Sequence, residues 1–352
     1  MVRPPDVRSV QETVRNLSCV WPRGAGTKTA LAPPEGAAVL ELSQLRGVVD
    51  YDPAELTCTV LAGTPVRQVE ELLSRHEQYL PFEPPLVSAG ATLGGTVAAG
   101  LSGPGRYRYG GVRDFVLGVR FVDGQGQLVR AGGKVVKNAA GFDLAKLMVG
   151  SVGRLGVLVD LSFKVFPAPR ARATLRVDCS TFEQAWGVLR ALYGSAFDLE
   201  AVDLEPPSTV WIRVAGRPES VPARLRRLQE FVQGGQAVEG EAGVWERARE
   251  FRWVPEGWTL VKVGLTLRLL PQVERELASA QTLRRYSVGG NVAWVACPDE
   301  AVLSGVLERL GLRGLRVLGP PGPPFLGPRG PDGFGGRVKR ALDPAGRFGP
   351  GL

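Results

Sequence analysis

Histidine is almost missing from this chain: there is one, His76, in 352 residues. Cysteine is sparse and scattered, with Cys19, Cys58, Cys179 and Cys297 far apart and no C-x-x-C pair. An iron–sulfur cluster or a structural zinc site needs clustered thiolates or imidazoles, so no metal site is expected within the chain. The same shortage removes most histidine-based general-base schemes, including a Ser/His/Asp triad unless His76 is its member. His76 shares a helical face with Val66, Val69, Leu72 and Leu73, and reads as a packed or edge-of-core side chain. Two Met and three Asn beside many Pro and Arg suit a thermophile, although a GC-rich genome writes the same bias.

Also missing is an apolar stretch behind Met1-Val2-Arg3-Pro4-Pro5-Asp6, so no secretory signal is expected and a reducing cytoplasm is the default location. Residues 84–105 carry no charge for 22 positions and contain Gly90-x-x-x-Gly94, which imitates a membrane-helix motif. Six Gly, three Pro, two Thr and two Ser in that run make it too polar and broken for a hydrocarbon core. No transmembrane segment is expected; the run reads as a glycine-rich loop folded against something small.

What is present is ordinary globular composition, 44% apolar and 22% charged, at a length that suggests two domains. Net charge is +8, and 36 of the 43 basic residues are Arg. They are scattered, and the densest run (Arg224, Arg226, Arg227) reads as the outer face of a helix. With no accompanying motif, nucleic acid is not an expected partner.

The first third alternates short β patterns with helices: Leu17–Trp21, Val39–Leu42, Val48–Tyr51, Glu55–Leu61, then a helix begun by Thr64-Pro65. Val116–Val122 and Gln127–Ala131 flank a turn as a hairpin does. Phe142–Val149 reads as a short helix and Gly156–Val165 as a long strand, after which Pro167-Ala168-Pro169 punctuates the chain. Beyond it lie two β-α-β-β-α runs. One is Ala173–Val177, Phe182–Leu192, Leu199–Leu204, Val210–Val214 and Val221–Val232. The other is Thr259–Leu267, Gln272–Ala280, Leu283–Val288, Val292–Ala296 and Glu300–Leu310. The expected class is α+β, the second region being a mostly antiparallel sheet with helices on one face. A Pro/Gly-dense loop, Gly319–Gly336, then leads to a short closing segment.

Two glycine loops carry the chemistry. Gly24-Ala25-Gly26-Thr27-Lys28-Thr29 has P-loop ingredients in the wrong order, and Pro33-Pro34 arrive too soon for a Rossmann helix. Its bare backbone N–H groups nonetheless suit an anion nest, with Arg23, Lys28 and the Thr27 hydroxyl adding charge and a donor. A plain surface turn is the alternative. The second loop, Gly90–Gly100, is expected to start a short helix with its N-terminus aimed at a ligand. Ser102, Gly103 and Arg106 follow with more donors. Two such loops suit a diphosphate-bearing dinucleotide.

The stretches GATLGGTVAAGLSGPGR, GGVRDFVLGVRFVDGQGQLVRAGGKVVKNAAGFDLAKLMVGSVGRLGVL and RGAGTKT resemble the FAD-binding domain of the vanillyl-alcohol-oxidase, or PCMH-type, flavoproteins. They are similar, in particular, to the FAD-binding subunits of bacterial glycolate oxidases. The tail ALDPAGRFGPG also resembles that family's, with Gly349 where an Asn is usual. The resemblance covers residues 15–168 and the last 20 well, and the stretch between them poorly. It implies a PCMH-type FAD-binding domain of two α+β subdomains over residues 1–168, a small α+β cap over 169–318, and a segment, 319–352, returning to the first domain.

By the same resemblance, Gly24, Ala25, Gly26, Thr27 and Lys28, with Arg23 beside them, match the loop that holds the FAD pyrophosphate. Gly90, Ala91, Thr92, Gly94, Gly95 and Ala98 match the loop along the diphosphate and ribityl chain. Ser102, Gly103 and Arg106 match its extension near the flavin, and Gly153 and Val157 match positions whose backbone lies by the cofactor. Ala25, Ser102 and Gly103 offer no His or Cys for attachment, so FAD is expected to be non-covalent.

Oxidising a 2-hydroxy acid needs a carboxylate anchor and a base. Arg249, Arg252, Lys262 and Tyr286 are the candidates, each with an ordinary surface or packing reading beside the functional one. With no imidazole expected in the cap, the resemblance implies a subunit of a glycolate oxidase complex. A second flavoprotein subunit and an iron–sulfur subunit are its expected partners, with the Pro/Gly loop and cap as docking surfaces. The location implied is cytoplasmic, peripheral on the inner membrane face through those partners. A self-sufficient FAD oxidoreductase and a non-catalytic scaffold remain as alternatives.

Overall fold

The computed structural model describes residues 1–133, 143–328 and 333–350. Helix α1 (Val7–Asn16) is capped by Asp6, whose carboxylate accepts from the Ser9 N–H at 2.8 Å. Its Val10 and Val14 pack on Val20 of β1 (Val20–Arg23) and Leu40 of β2 (Ala38–Glu41), which form a parallel pair. The strand expected at Leu17–Trp21 therefore begins at Val20, after a helix that the sequence reading did not anticipate.

Then come β3 (Val48–Asp52), β4 (Thr57–Leu61), α2 (Val66–Ser74), β5 (Gln78–Tyr79) and α3 (Leu93–Ala99). Two one-turn helices follow, α4 (Arg106–Tyr109) and α5 (Val112–Phe115), and then β6 (Val116–Val122) and β7 (Leu128–Gly132). The expected helix at Phe142–Val149 is α6 (Leu144–Met148); Lys134–Phe142 lie outside the described residues. β8 (Val157–Lys164) and β9 (Phe166–Pro167) complete this part. β3, β4, β8, β6 and β7 make a five-stranded antiparallel sheet in that order. Its core joins Leu161 and Phe163 of β8 to Val69 and Leu73 of α2 and Leu93 and Val97 of α3.

The remainder repeats one pattern. β10 (Ala171–Asp178), α7 (Phe182–Tyr193), β11 (Ala201–Glu205), β12 (Thr209–Gly216) and α8 (Val221–Phe231) are the first copy, trailed by β13 (Gln236–Ala237) and α9 (Glu241–Arg249). β14 (Thr259–Gly264), α10 (Leu270–Ala278), β15 (Leu283–Ser287), β16 (Val292–Cys297) and α11 (Glu300–Leu310) are the second. β17 (Gly314–Leu318), β18 (Phe325–Leu326) and α12 (Phe334–Leu342) close the chain. The strands form one nine-stranded sheet ordered β13-β10-β12-β11-β15-β16-β14-β17-β18.

Strand alternation decides what each face does. Val202, Ile212, Val261, Val263 and Val295 point to the helices, meeting Leu189, Leu228, Val273 and Leu303. Leu260, Trp294, Ala296 and Val317 point the other way and join the core of the first part. That second face is also polar. Arg213 on β12 meets both carboxylate oxygens of Glu83 at 2.8 Å and ion-pairs with Glu200 at 2.7 Å; Glu200 also holds Arg172 at 2.8 Å. Trp245 of α9 lies near the guanidinium groups of Arg213 and Arg285, 4.9 and 5.7 Å from its ring. Among the described residues no helix is long and apolar enough to cross a membrane.

Candidate cofactor site

The first glycine loop, α3, the turn at Val152-Gly153 and Pro321 enclose a cleft of about 370 Å³. The loop leaves β1 at Arg23, and Gly26 takes a left-handed conformation (φ 73°). From Gly24 to Lys28 no backbone N–H donates to an acceptor among the described residues. Five successive donors left open in a turn are a nest for an anion.

Lys28 sharpens that reading. It is buried, its Nζ meets only the Thr27 hydroxyl at 3.1 Å, and no carboxylate among the described residues pairs with it. Burial pushes its ammonium down to about 8. A buried cation beside unused N–H groups calls for an anionic ligand. Arg23 lines the cleft too, but its guanidinium is held by Glu41 at 3.1 Å, so it brings less free charge than its sequence position suggests.

α3 works differently from the expectation. Thr92 caps it, accepting from the Gly95 N–H at 3.2 Å. The Leu93 and Gly94 N–H groups go to Thr64 and Ala62 carbonyls at 3.0 and 2.8 Å. The first-turn donors are thus satisfied within the protein and the helix N-terminus offers nothing to a ligand. What α3 supplies is a bare surface: Gly94, Gly95, Ala98 and Ala99 line the cleft. A Cβ on Gly94 would sit 2.6 Å from the Ala62 carbonyl oxygen, and one on Gly24 would collide with the Thr92 hydroxyl. The Val152 N–H donates to the Ala98 carbonyl at 2.8 Å, fixing the turn that brings Gly153 to the cleft.

Arg23, Gly24, Ala25, Gly26, Thr27, Lys28, Thr92, Gly94, Gly95, Ala98 and Gly153 therefore come together around one cavity. Gly90, Ala91, Ser102, Gly103, Arg106 and Val157 do not line it. The Ala91 carbonyl accepts from the Val66 N–H at 2.8 Å, and the Ser102 hydroxyl accepts from the Val112 N–H at 2.8 Å. Gly103 packs against the Glu83 backbone, and Val157 points into the cluster beneath α1 while its neighbours Gly156 and Leu158 face the cleft. The sequence reading missed the apolar walls Trp21, Leu42, Ala62 and Leu158, whose only signal was adjacency to the motifs. It also missed Pro321, for which there was none.

Of the oxidation candidates, Arg249 lines a second, small pocket with Ser102 and Gly103, and the other three do not line it. Tyr286 is fully buried on the helix side of the sheet and its hydroxyl donates to Glu274 at 2.6 Å, so it is a core residue and not a ligand partner. Arg249 pairs with Glu70 at 3.2 Å, and Arg252 is exposed and pairs with Glu246 at 2.7 Å. Lys262 reaches from β14 to the Gly100 carbonyl at 2.7 Å. Burial, aided by nearby Arg106, pushes Lys262 down to about 8. His76 is exposed at the edge of the core, with its ring edge-on to Tyr51 at 5.3 Å. Among the described residues no group of three or more His, Cys, Asp or Glu side chains is placed to hold a metal ion.

An open N–H nest, an unpaired buried lysine, glycine surfaces and apolar walls fit a diphosphate joined to flat ring systems. Residues 1–132 match the family described as "FAD binding domain", and FAD is the cofactor. The chain is 32% identical to glycolate oxidase subunit GlcE of Escherichia coli K12, over 98% of this chain and 95% of that one. D-2-hydroxyglutarate dehydrogenase of Xanthomonas citri is 28% identical over 72% of this chain, which spans 56% of that longer protein. Glycolate oxidase subunit GlcD of Bacillus subtilis is 33% identical over 44% of this chain and 33% of its own. Two solved structures share the fold, each with a TM-score of 0.74 over 99% of this chain. They are alkyldihydroxyacetonephosphate synthase (15% identical, 76% of that chain) and p-cresol methylhydroxylase (14%, 87%). With an open N–H nest on a PCMH-type fold and a relative matched along nearly its whole length, the chain belongs to the glycolate oxidase subunit family of FAD-dependent oxidoreductases.

Proposed function

We propose that this chain is the FAD-holding subunit of a complex that oxidises glycolate, or a close 2-hydroxy acid, to the 2-oxo acid, and that it hands electrons to a partner subunit. Bound FAD supplies the two-electron acceptor for such a CH–OH group. The observation that carries the reading is how the chain's own side chains are engaged. A base must reach the substrate hydroxyl, and the single imidazole is on the surface against Tyr51. The Tyr286 hydroxyl is spent on Glu274, and the two arginines that could anchor a carboxylate, Arg249 and Arg252, pair with Glu70 and Glu246. Proton abstraction is accordingly assigned to a second flavoprotein subunit, with an iron–sulfur subunit receiving electrons. The complex would sit in the cytoplasm, peripheral to the membrane through those partners. The division into residues 1–168, 169–318 and 319–352 belongs to the same reading.

Lys262 favours a second reading, a self-sufficient oxidoreductase. It has no carboxylate partner among the described residues, is neutral above about pH 8, and neighbours Arg106. The test is to mix the purified yellow chain with glycolate or D-lactate without oxygen, alone and with its partner subunits. The proposal expects no bleaching alone and bleaching in the complex. Bleaching of the isolated chain that Lys262→Met abolishes would establish the second reading instead.

A further inference from the structure

The cleft has one wall that does not come from the first 168 residues. Pro321 lies in the segment 319–324, Gly-Pro-Pro-Gly-Pro-Pro, between β17 and β18 of the nine-stranded sheet. Four of its six residues are proline and have no N–H, so the segment cannot hold its shape by a backbone ladder of its own. Only Gly319 and Gly322 can donate, and both donate to the glycine-loop side. The Gly319 N–H goes to the Thr29 hydroxyl at 3.1 Å and the Gly322 N–H to the Ala30 carbonyl at 3.0 Å. In return the Ala32 N–H donates to the Gly322 carbonyl at 3.4 Å. These partners directly follow the open nest, and Thr29 and Leu31 line the cleft themselves.

The other side of the segment is gripped by one side chain. Arg316 is 2% exposed, and its guanidinium donates to the Pro320 carbonyl at 2.9 Å and the Pro323 carbonyl at 3.1 Å. Its backbone N–H takes the Pro324 carbonyl at 2.8 Å, and Glu300 of α11 balances its charge at 2.7 Å. The guanidinium lies so close under Gly322 that any Cβ there would collide with it. A buried arginine thus supplies donors to the carbonyls of Pro320 and Pro323 in a segment with few N–H groups of its own.

We infer that residues 319–324 form a strap that completes the FAD site from the nine-stranded sheet, with Arg316 as its positioning residue, and that this strap controls how fast FAD leaves. The strap binds the loop that bears the nest, so cofactor retention and strap docking stabilise each other. That coupling is reciprocal.

The experiment measures FAD release from the loaded chain by recovery of free flavin fluorescence, in wild type, Arg316→Met, Pro321→Gly and Arg284→Met. Arg284 pairs with Glu274 on the helix side of the same sheet, away from the strap, and controls for general loss of stability. Arg316→Met and Pro321→Gly should release FAD about tenfold faster, the usual place for an affinity change to appear, while Arg284→Met keeps the wild-type rate. Hydrogen exchange in wild type should show the Gly319 and Gly322 amides slower with FAD than without. Wild-type release from both strap variants overturns the proposal. So does equal acceleration by Arg316→Met and Arg284→Met with none by Pro321→Gly, since that pattern reports stability alone.

Discussion

Arg213 grips Glu83 through both carboxylate oxygens at 2.8 Å, joining a loop near the five-stranded sheet to a strand of the nine-stranded one 130 positions later. Both side chains are largely buried, at 4% and 12% exposure. Breaking a buried pair leaves an uncompensated charge, so Glu83→Gln should cost about 3–5 kcal/mol in denaturant unfolding. Replacing both residues by Met should recover much of that loss. Burial pushes the Glu83 carboxyl up, but Arg213 and Arg172 together outweigh it and hold it below the usual carboxylate range. Its contribution is therefore present above the ordinary carboxylate pKa and lost as pH falls through the lowered one. Glu83→Gln should flatten the acid limb of the stability curve.

Lys28 predicts a pH dependence of cofactor binding. Without an anion its ammonium loses its proton at about 8, against 10.5 in the unfolded chain. The folded state binds fewer protons between those values, so apoprotein stability should rise with pH across that window. A diphosphate beside Lys28 restores the proton, so binding takes one up. Above about pH 8, FAD affinity should fall by up to about one log unit per pH unit. Lys28→Met should weaken binding and remove most of that slope in a fluorescence titration.

Three glycines separate close packing from ordinary helix chemistry. Gly24→Ala drives a methyl into the Thr92 hydroxyl that caps α3, and Gly94→Ala places one 2.6 Å from the Ala62 carbonyl. Each should purify with little flavin and lose about 1–3 kcal/mol from overpacking. Gly187 in α7 has nothing within 4 Å of the added carbon. Gly187→Ala should keep its flavin and gain about 0.4–1 kcal/mol.

The two β-α-β-β-α runs were legible because strand alternation and helical periodicity are local, and α11 spans Glu300–Leu310 as read. α1 was hidden because only Val10 and Val14 of its ten residues are buried, too few apolar positions to announce a helix. The nest residues were legible because bare glycine backbone and a lysine sit together in sequence. Whether a helix end is open or already bonded depends on Thr64 and Ala62, about thirty residues earlier, and no local pattern reports that. Val157 was named for its backbone, which runs between Gly156 and Leu158 at the cleft, while the strand's period of two turns its side chain away. Tyr286 failed for a related reason: the face on which it lies follows from the register Tyr286↔Ala293, which composition does not reveal.

Trp245 donates its indole N–H to the Thr174 hydroxyl at 2.8 Å, with two arginines near its ring and only 3% of its surface in water. Indole emission responds to nearby charge and to hydration, and this ring has one charge fixed by Glu83 and the other by Asp203. Any parting of the two sheets pulls Arg213 away from Glu83 and lets water reach the indole. With the other six tryptophans replaced, Trp245 would serve as an optical gauge of the protein's own seam, readable by fluorescence without a label.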